Sequence, residues 1–296
     1  MNKKILFNEG LLLLVTLIWG LAFIFQDIGM HYVGPVTFSM ARSIVGVIFL
    51  FPLGLINYLK KDVRGSFFNY HELIGGLILG LVTACAMAFQ QLGIRHEGAG
   101  KSGFIASLYV IFVPIIGILF HKKTNFIVMI SVMLAITGLY FVNINDSHFE
   151  LGIGTIYLLI SAIFYALQIL FIDKFGPHSS TINLAIGQFL VAGIIQIPIA
   201  LIAEEITINN LVGGLPSILY CGIFSTGVAF SIQIYAQKNI PVSIATVIMS
   251  FEAVFALIFS MIILKSHYGI LEFIGCLFLF LAILIVQFNY KKKIKA

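Results

Sequence analysis

Long apolar runs, separated by short clusters of glycine, proline and charge, make up most of the chain. They fall at roughly 9–27, 35–58, 72–94, 102–120, 125–143, 152–173, 182–203, 212–235, 241–264 and 269–288. About 20 apolar residues suffice for a helix to cross the ~30 Å hydrocarbon core of a bilayer. The runs are continuous rather than alternating, so they predict helices and not the strands of a barrel. The breaks carry turn chemistry. Gly34-Pro35 opens the second run, Gly176-Pro177 follows the sixth, and Asn239-Ile240-Pro241 precedes the ninth. Proline at a helix start gives up an N–H that would be unpaired there anyway. The pattern predicts an all-α integral membrane protein of ten transmembrane helices.

Composition agrees. Of 296 residues 60% are hydrophobic and 10% charged, whereas a soluble domain carries about 25% charged residues to face water on every side. The net charge of +5 does not indicate nucleic acid, because the cations are segregated. With ten spans and both termini cytoplasmic, thirteen lysines and arginines fall inside and only Arg95, Lys101 and Lys265 outside, with Arg42 within a span. That is the positive-inside distribution of a multi-pass protein of the cell (plasma or inner) membrane. Lys3-Lys4 and the run after them imitate a signal peptide. The run is long, holds Trp19 and lacks a small-residue cleavage site, so it reads as the first retained span. The lysines of 291–295 read as a topological anchor. Cys85, Cys221 and Cys276 lie in apolar runs without metal or redox spacing, as small packing residues.

The chain also reads as two five-helix repeats, 1–145 and 146–296. Leu14 to Asp27 reads LVTLIWGLAFIFQD and Ile160 to Asp173 reads ISAIFYALQILFID, which sets Trp19 opposite Tyr165 and Asp27 opposite Asp173. Gly75-Gly76, opening the third span, matches Gly213-Gly214, opening the eighth. An odd number of spans per repeat forces the second copy to enter from the opposite side. Two inverted repeats around a central cavity can pack in two near-equivalent ways, which is the basis of alternating access.

Trp19-Gly20-Leu21-Ala22-Phe23, Gly34-Pro35, Phe38 and Arg42, the segment Ala99 to Pro114, and Ser250-Phe251-Glu252-Ala253-Val254-Phe255 together resemble the EamA-type transporters of the drug/metabolite transporter superfamily. The resemblance covers essentially the whole chain. It implies a ten-helix fold with a central cavity, and export or uptake of small metabolites. Ala253 stands where that family has proline, and Lys123 and Lys265 stand where it often has glutamate. Those glutamates have no counterpart here.

Only Arg42 and Glu252 are charges well inside spans, and such residues tend to face cavities or partners. Glu252, near the middle of the ninth span, reads either as a substrate or proton ligand or as a structural hydrogen-bond acceptor. Arg42, nearer a span end, reads more as a structural or gating charge, able to snorkel or cap a neighbouring helix. Gln90, Gln91, Gln168, Gln188 and Gln233 must turn away from lipid. Gln90, Gln168 and Gln233 are the better cavity candidates, and the alternative is interhelical hydrogen bonding. Trp19, Tyr109 and Tyr165 sit at mid-span, placed to line a pocket or simply to pack. Gly76 and Gly80 form a small-xxx-small pair suited to close helix contact. Gly100-Lys101-Ser102 imitates a phosphate loop but has Arg95 where that motif needs glycine. Asn145-Asp146-Ser147 is a formal glycosylation triplet.

No catalytic motif, metal-ligand spacing or nucleotide-binding domain is visible, so no enzyme, metal or cofactor is expected. The function expected is secondary, non-ATP transport of a small polar or amphipathic metabolite, with amino-acid or metabolite export favoured by the resemblance. A non-transporting membrane sensor or assembly partner is the alternative, and a lipid-modifying membrane enzyme ranks below it. The expected partners are a small-molecule metabolite and the lipid bilayer, with no nucleic acid, and a homodimer is left open.

Overall fold

A backbone in hydrocarbon must satisfy its own N–H and C=O groups, and the apolar runs do so as helices. The computed structural model describes residues 3–59, 67–119, 126–142, 144–145, 148–149 and 152–295. Lys60, Lys61, Arg64, Lys122 and Lys123 of the inner loops, and Asp146-Ser147 of the glycosylation triplet, lie outside them.

The first part of the chain forms α1 (Lys3–Gly29), α2 (Pro35–Leu59), α3 (Tyr70–Ala106), α4 (Tyr109–Leu119) and α5 (Phe126–Val142). A two-residue antiparallel pairing joins Ile144–Asn145 to His148–Phe149. Then follow α6 (Ile153–Phe175), α7 (Thr181–Ala203), α8 (Ile208–Leu219), a π-helical stretch over Tyr220–Ala229, α9 (Phe230–Gln237), α10 (Val242–Met249), α11 (Glu252–Ile263) and α12 (Ile270–Lys295). Among the described residues seven helical runs are long and apolar enough to cross a membrane.

The structure departs from the sequence pattern at the third, fourth, eighth and ninth runs. The third and fourth runs are one helical stretch, bent at Gly98 with φ 73° and ψ 171°, a left-handed conformation that glycine adopts without steric cost. The fourth run is interrupted again between α3 and α4, at Ser107-Leu108, and the ninth between α10 and α11, at Ser250-Phe251. The eighth run contains the π-helical stretch. The polar segment 95–101 marks the bend at Gly98, but hydropathy gives no comparable gap at Ser107-Leu108, at Ser250-Phe251 or over the π-helical stretch, where short interruptions sit inside long apolar runs.

The outer face suits lipid. Ile202 is 87% exposed, Ile270 81% and Ile262 68%. Inside, small residues let backbones approach, which is how membrane helices pack when lipid removes the hydrophobic drive between them. A Cβ on Gly76 would stand 3.0 Å from Gly187 Cα, and one on Gly80 would stand 2.7 Å from the Gln188 carbonyl, so α3 and α7 meet almost backbone to backbone. Gly46 of α2 likewise faces Thr226 and the Gly222 carbonyl. Cys85, Cys221 and Cys276 are free thiols.

Candidate functional site

Buried polar side chains from both parts of the chain converge on one cavity. α1 turns a single face to it: Trp19, Ala22, Phe23 and Gln26, spaced i, i+3, i+4 and i+7, all line it. Arg42 of α2, Gln90 of α3, Tyr109 of α4, Tyr165 and Gln168 of α6, Ser225 of the π-helical stretch, Phe230 and Gln233 of α9, and Glu252 of α11 complete most of the wall. The cavity between these side chains is about 30 Å3. That is room for roughly two or three waters, so a larger solute enters only if the walls part.

Trp19, Arg42, Gln90, Tyr109, Tyr165, Gln168, Gln233 and Glu252, all singled out from the sequence, thus share one chamber. Gln188 and Gln91 do not. Gln188 Nε2 donates to Thr83 Oγ1 at 2.9 Å between α7 and α3, and the fully buried Gln91 amide has neither atom paired. Sequence reasoning passed over Gln26, Ser225 and Phe230. For Gln26 a signal existed, since it lies seven residues after Trp19 on the same helix face.

Hydrogen bonds knit the chamber wall, and those of Tyr165 with Gln90 and of Trp19 with Ser225 join one part of the chain to the other. Tyr165 Oη donates to Gln90 Oε1 at 2.8 Å. Gln168 and Gln233 face each other at 3.4 Å, Gln233 Nε2 donates to Gln237 Oε1 at 3.2 Å, and Gln237 Nε2 donates to the Ile169 carbonyl at 2.9 Å. Trp19 Nε1 donates to the Ser225 carbonyl at 3.3 Å, and its ring lies 4.9 Å from Phe230, which meets Phe189 edge-on at 5.0 Å.

The two charges occupy different settings. Glu252 is the first residue of α11, immediately after the break in its span, where the positive end of a helix favours a carboxylate. The break in the fourth span meets it there. Ser107 Oγ, which donates to the Gly103 carbonyl at 2.7 Å, lies 3.4 Å from Glu252 Oε1. The Tyr109 hydroxyl is also buried beside the Glu252 carboxyl in the same chamber. Arg42 neither snorkels nor caps a helix end. It is 2% exposed, its Nη1 donates to Gln26 Oε1 at 2.8 Å, and its Nε has no partner.

Carboxylates close the bundle at both ends of the antiparallel α2–α7 pair. At the α7 start, buried Glu72 accepts from the Ser180 backbone N–H at 2.7 Å and from Asn183 Nδ2 at 3.1 Å, while also completing the capping box of α3 with Asn69. Lys238, after α9, donates to the Ser179 carbonyl at 2.6 Å and to Thr181 Oγ1 at 3.0 Å. Burial pulls its ammonium below the usual lysine value, and nearby Glu72 partly offsets this. At the opposite end, Glu204 accepts from the backbone N–H groups of Val36 and Thr37, each at 2.8 Å, and so caps α2. Glu97 accepts at 3.0 Å from both Thr155 N and Thr155 Oγ1 at the start of α6.

The description of the EamA-like transporter family matches the chain twice, over residues 7–144 and 152–288. The chain belongs to the EamA-like transporter family. This EamA-like chain is 29% identical over 286 residues to an uncharacterized transporter of Archaeoglobus fulgidus, covering 96% of this chain and 87% of that protein. It is 23% identical over 287 residues to the uncharacterized transporter YoaV of Bacillus subtilis, covering 94% and 96%. A solved crystal structure superposes with a TM-score of 0.69 at 12% identity, covering 99% of each chain, which shows a shared fold. Family, relatives and apolar helices make this EamA-like protein a multi-pass membrane transporter.

Proposed function

We propose that the protein is a secondary carrier that moves a small polar or amphipathic metabolite across the cell membrane by alternating access, with amino-acid or metabolite export as its direction of use. The observation that carries this reading is the convergence, in one narrow chamber, of polar side chains from two interrupted helical stretches and from both parts of the chain. Interrupted helices in corresponding positions of two halves are where transporters of this architecture bind their solutes.

In this reading the bend at Gly98 divides α3 into the third span and the start of the fourth. The fourth span then continues through Ser107 into α4, and α10 with α11 forms the ninth. Ten spans result, as two inverted five-helix repeats, 1–145 and 146–296, with both termini cytoplasmic. The two separate family matches support this division, and so do the broken fourth and ninth spans meeting at Ser107 and Glu252.

Glu72 closes the cytoplasmic end by holding the start of α7, and Glu204 closes the outer end by holding the start of α2. Transport alternates release of the two. Glu252 binds a cationic group of the solute or a proton, and the amides of Gln90, Gln168 and Gln233 bind its neutral polar groups. Trp19, Tyr109 and Tyr165 wall its apolar part.

The test is flux. Purified protein is reconstituted in sealed vesicles and presented with a broad panel of labelled metabolites, in the presence and absence of a proton gradient. Saturable uptake of at least one solute, lost in Glu252→Ala, is expected. Folded protein that moves none of them contradicts the reading.

A further inference from the structure

We propose that Arg42 is the receptor for a monoanionic group, a carboxylate, on the transported solute, and that Gln26 is its positioning residue. The inference rests on the carrier reading and goes beyond it by naming what the solute must carry.

A guanidinium buried in a membrane protein needs an anion or a full set of acceptors. Arg42 has neither. Among the described residues it has no carboxylate partner, and its single hydrogen bond runs from Nη1 to the neutral Gln26 amide at 2.8 Å. That bond holds one end of the planar fork. The other edge, Nε with Nη2, is free of any protein acceptor, and Nε is buried in the chamber wall without a partner. Two parallel N–H groups on one edge of a guanidinium match a carboxylate bidentately.

Gln26 comes from α1 and Arg42 from α2, so the amide fixes the rotation of the guanidinium about its long stem. The neighbourhood limits the charge that can bind. Glu252 lines the same chamber, and Tyr165 lies close enough to both charges to feel each. Among the described residues Arg42 is the only cationic side chain lining the chamber. A monoanion offsets the Arg42 charge, whereas a phosphate dianion leaves an uncompensated negative charge facing Glu252 in a medium that screens poorly.

The test compares matched solutes on the full chain in detergent and in vesicles. The common amino acids and short-chain carboxylic acids are each presented beside the neutral carboxamide of the same skeleton, with alkyl phosphates as a separate arm. The expected result is thermal stabilisation and flux with carboxylates, about ten- to hundredfold weaker apparent affinity for the amides, and no gain with phosphates. Gln26→Glu is the decisive variant. It is near-isosteric and places a carboxylate on Arg42 from within, so the ligand-free protein should melt at the same temperature or higher while carboxylate affinity falls at least tenfold. Arg42→Lys, which keeps the charge and loses the fork, should fall by a smaller factor.

Carboxylate binding unchanged in Gln26→Glu, amides bound as well as acids, or flux confined to uncharged solutes would each overturn the role of Arg42 and leave the carrier reading standing. Phosphates binding more tightly than carboxylates would overturn the monoanion assignment. Folded protein with no flux of any solute would strike the carrier reading itself.

Discussion

Replacing Glu204 by glutamine should open the chamber to the outside. Glu204 holds two backbone N–H groups at the start of α2, each at 2.8 Å, and Gly34 packs directly on its carboxylate, where no side chain has room. A charge-assisted hydrogen bond contributes about 1.5–3 kcal/mol when buried, and losing a helix N-cap costs about 0.5–2 kcal/mol. Glu204 is only partly buried, which puts the loss toward the lower end, about 1–3 kcal/mol for the pair together. The substitution also sets an amide NH2 against one of the two N–H donors.

If the bonds exist only while the outer end is closed, that loss converts to about a 5- to 150-fold shift toward the outward-open population. The assay is labelling of Ser225→Cys, a chamber position, in a chain whose Cys85, Cys221 and Cys276 have been replaced. A membrane-impermeant maleimide is added to intact cells for the outer side and to inverted vesicles for the inner side. Glu204→Gln should raise the outer rate at least fivefold. Glu72→Gln, which weakens the contact with Ser180 and Asn183 at the other end, should raise the inner rate instead. Rates that move in the same direction in both variants, or stay unchanged in folded protein, would refute the two-ended closure.

Further outcomes follow from the same geometry. Glu252→Gln should flatten the pH dependence of transport in vesicles while preserving the fold, and an unaltered pH profile would remove Glu252 from proton movement. Gly76→Leu should lower the melting temperature sharply, because overpacking costs about 1–3 kcal/mol or more where α3 and α7 nearly touch, whereas Gly10→Ala, with nothing within 4 Å of the new methyl group, should melt like the parent. Gln233→Leu should cost about 0.6–2 kcal/mol by leaving Gln168 and Gln237 short of a partner, read as a fall in melting temperature together with altered apparent affinity for the solute.

Membrane residence, helical class and family were legible in the sequence. Hydrocarbon leaves the backbone no alternative to helices, so run length and cation placement carry strong signals, and Trp19, Gly34-Pro35 and Glu252 carried the family resemblance. The chamber was legible in part. Glu252 and the glutamines stand out because a charge or amide at mid-span is costly unless it turns inward. Nothing in the chain said which amides would share a cavity. Gln90 and Gln91 are adjacent in sequence, yet only Gln90 lines the chamber, because successive helix positions point about 100° apart. Arg42 read more readily as a span-end charge, since its depth could be counted and its direction could not.

The sequence by itself determined that this chain lives in a bilayer as helices, because solvation of the backbone is decided locally, residue by residue. Only the tertiary structure decided that Glu72, Glu97 and Glu204 cap the starts of distant helices, that the eighth apolar run widens into a π-helix, and that Arg42 meets Gln26 instead of a carboxylate. Those outcomes depend on which helix ends and faces are brought together, and hydrogen bonds between residues far apart in the chain leave no periodic trace in a single sequence.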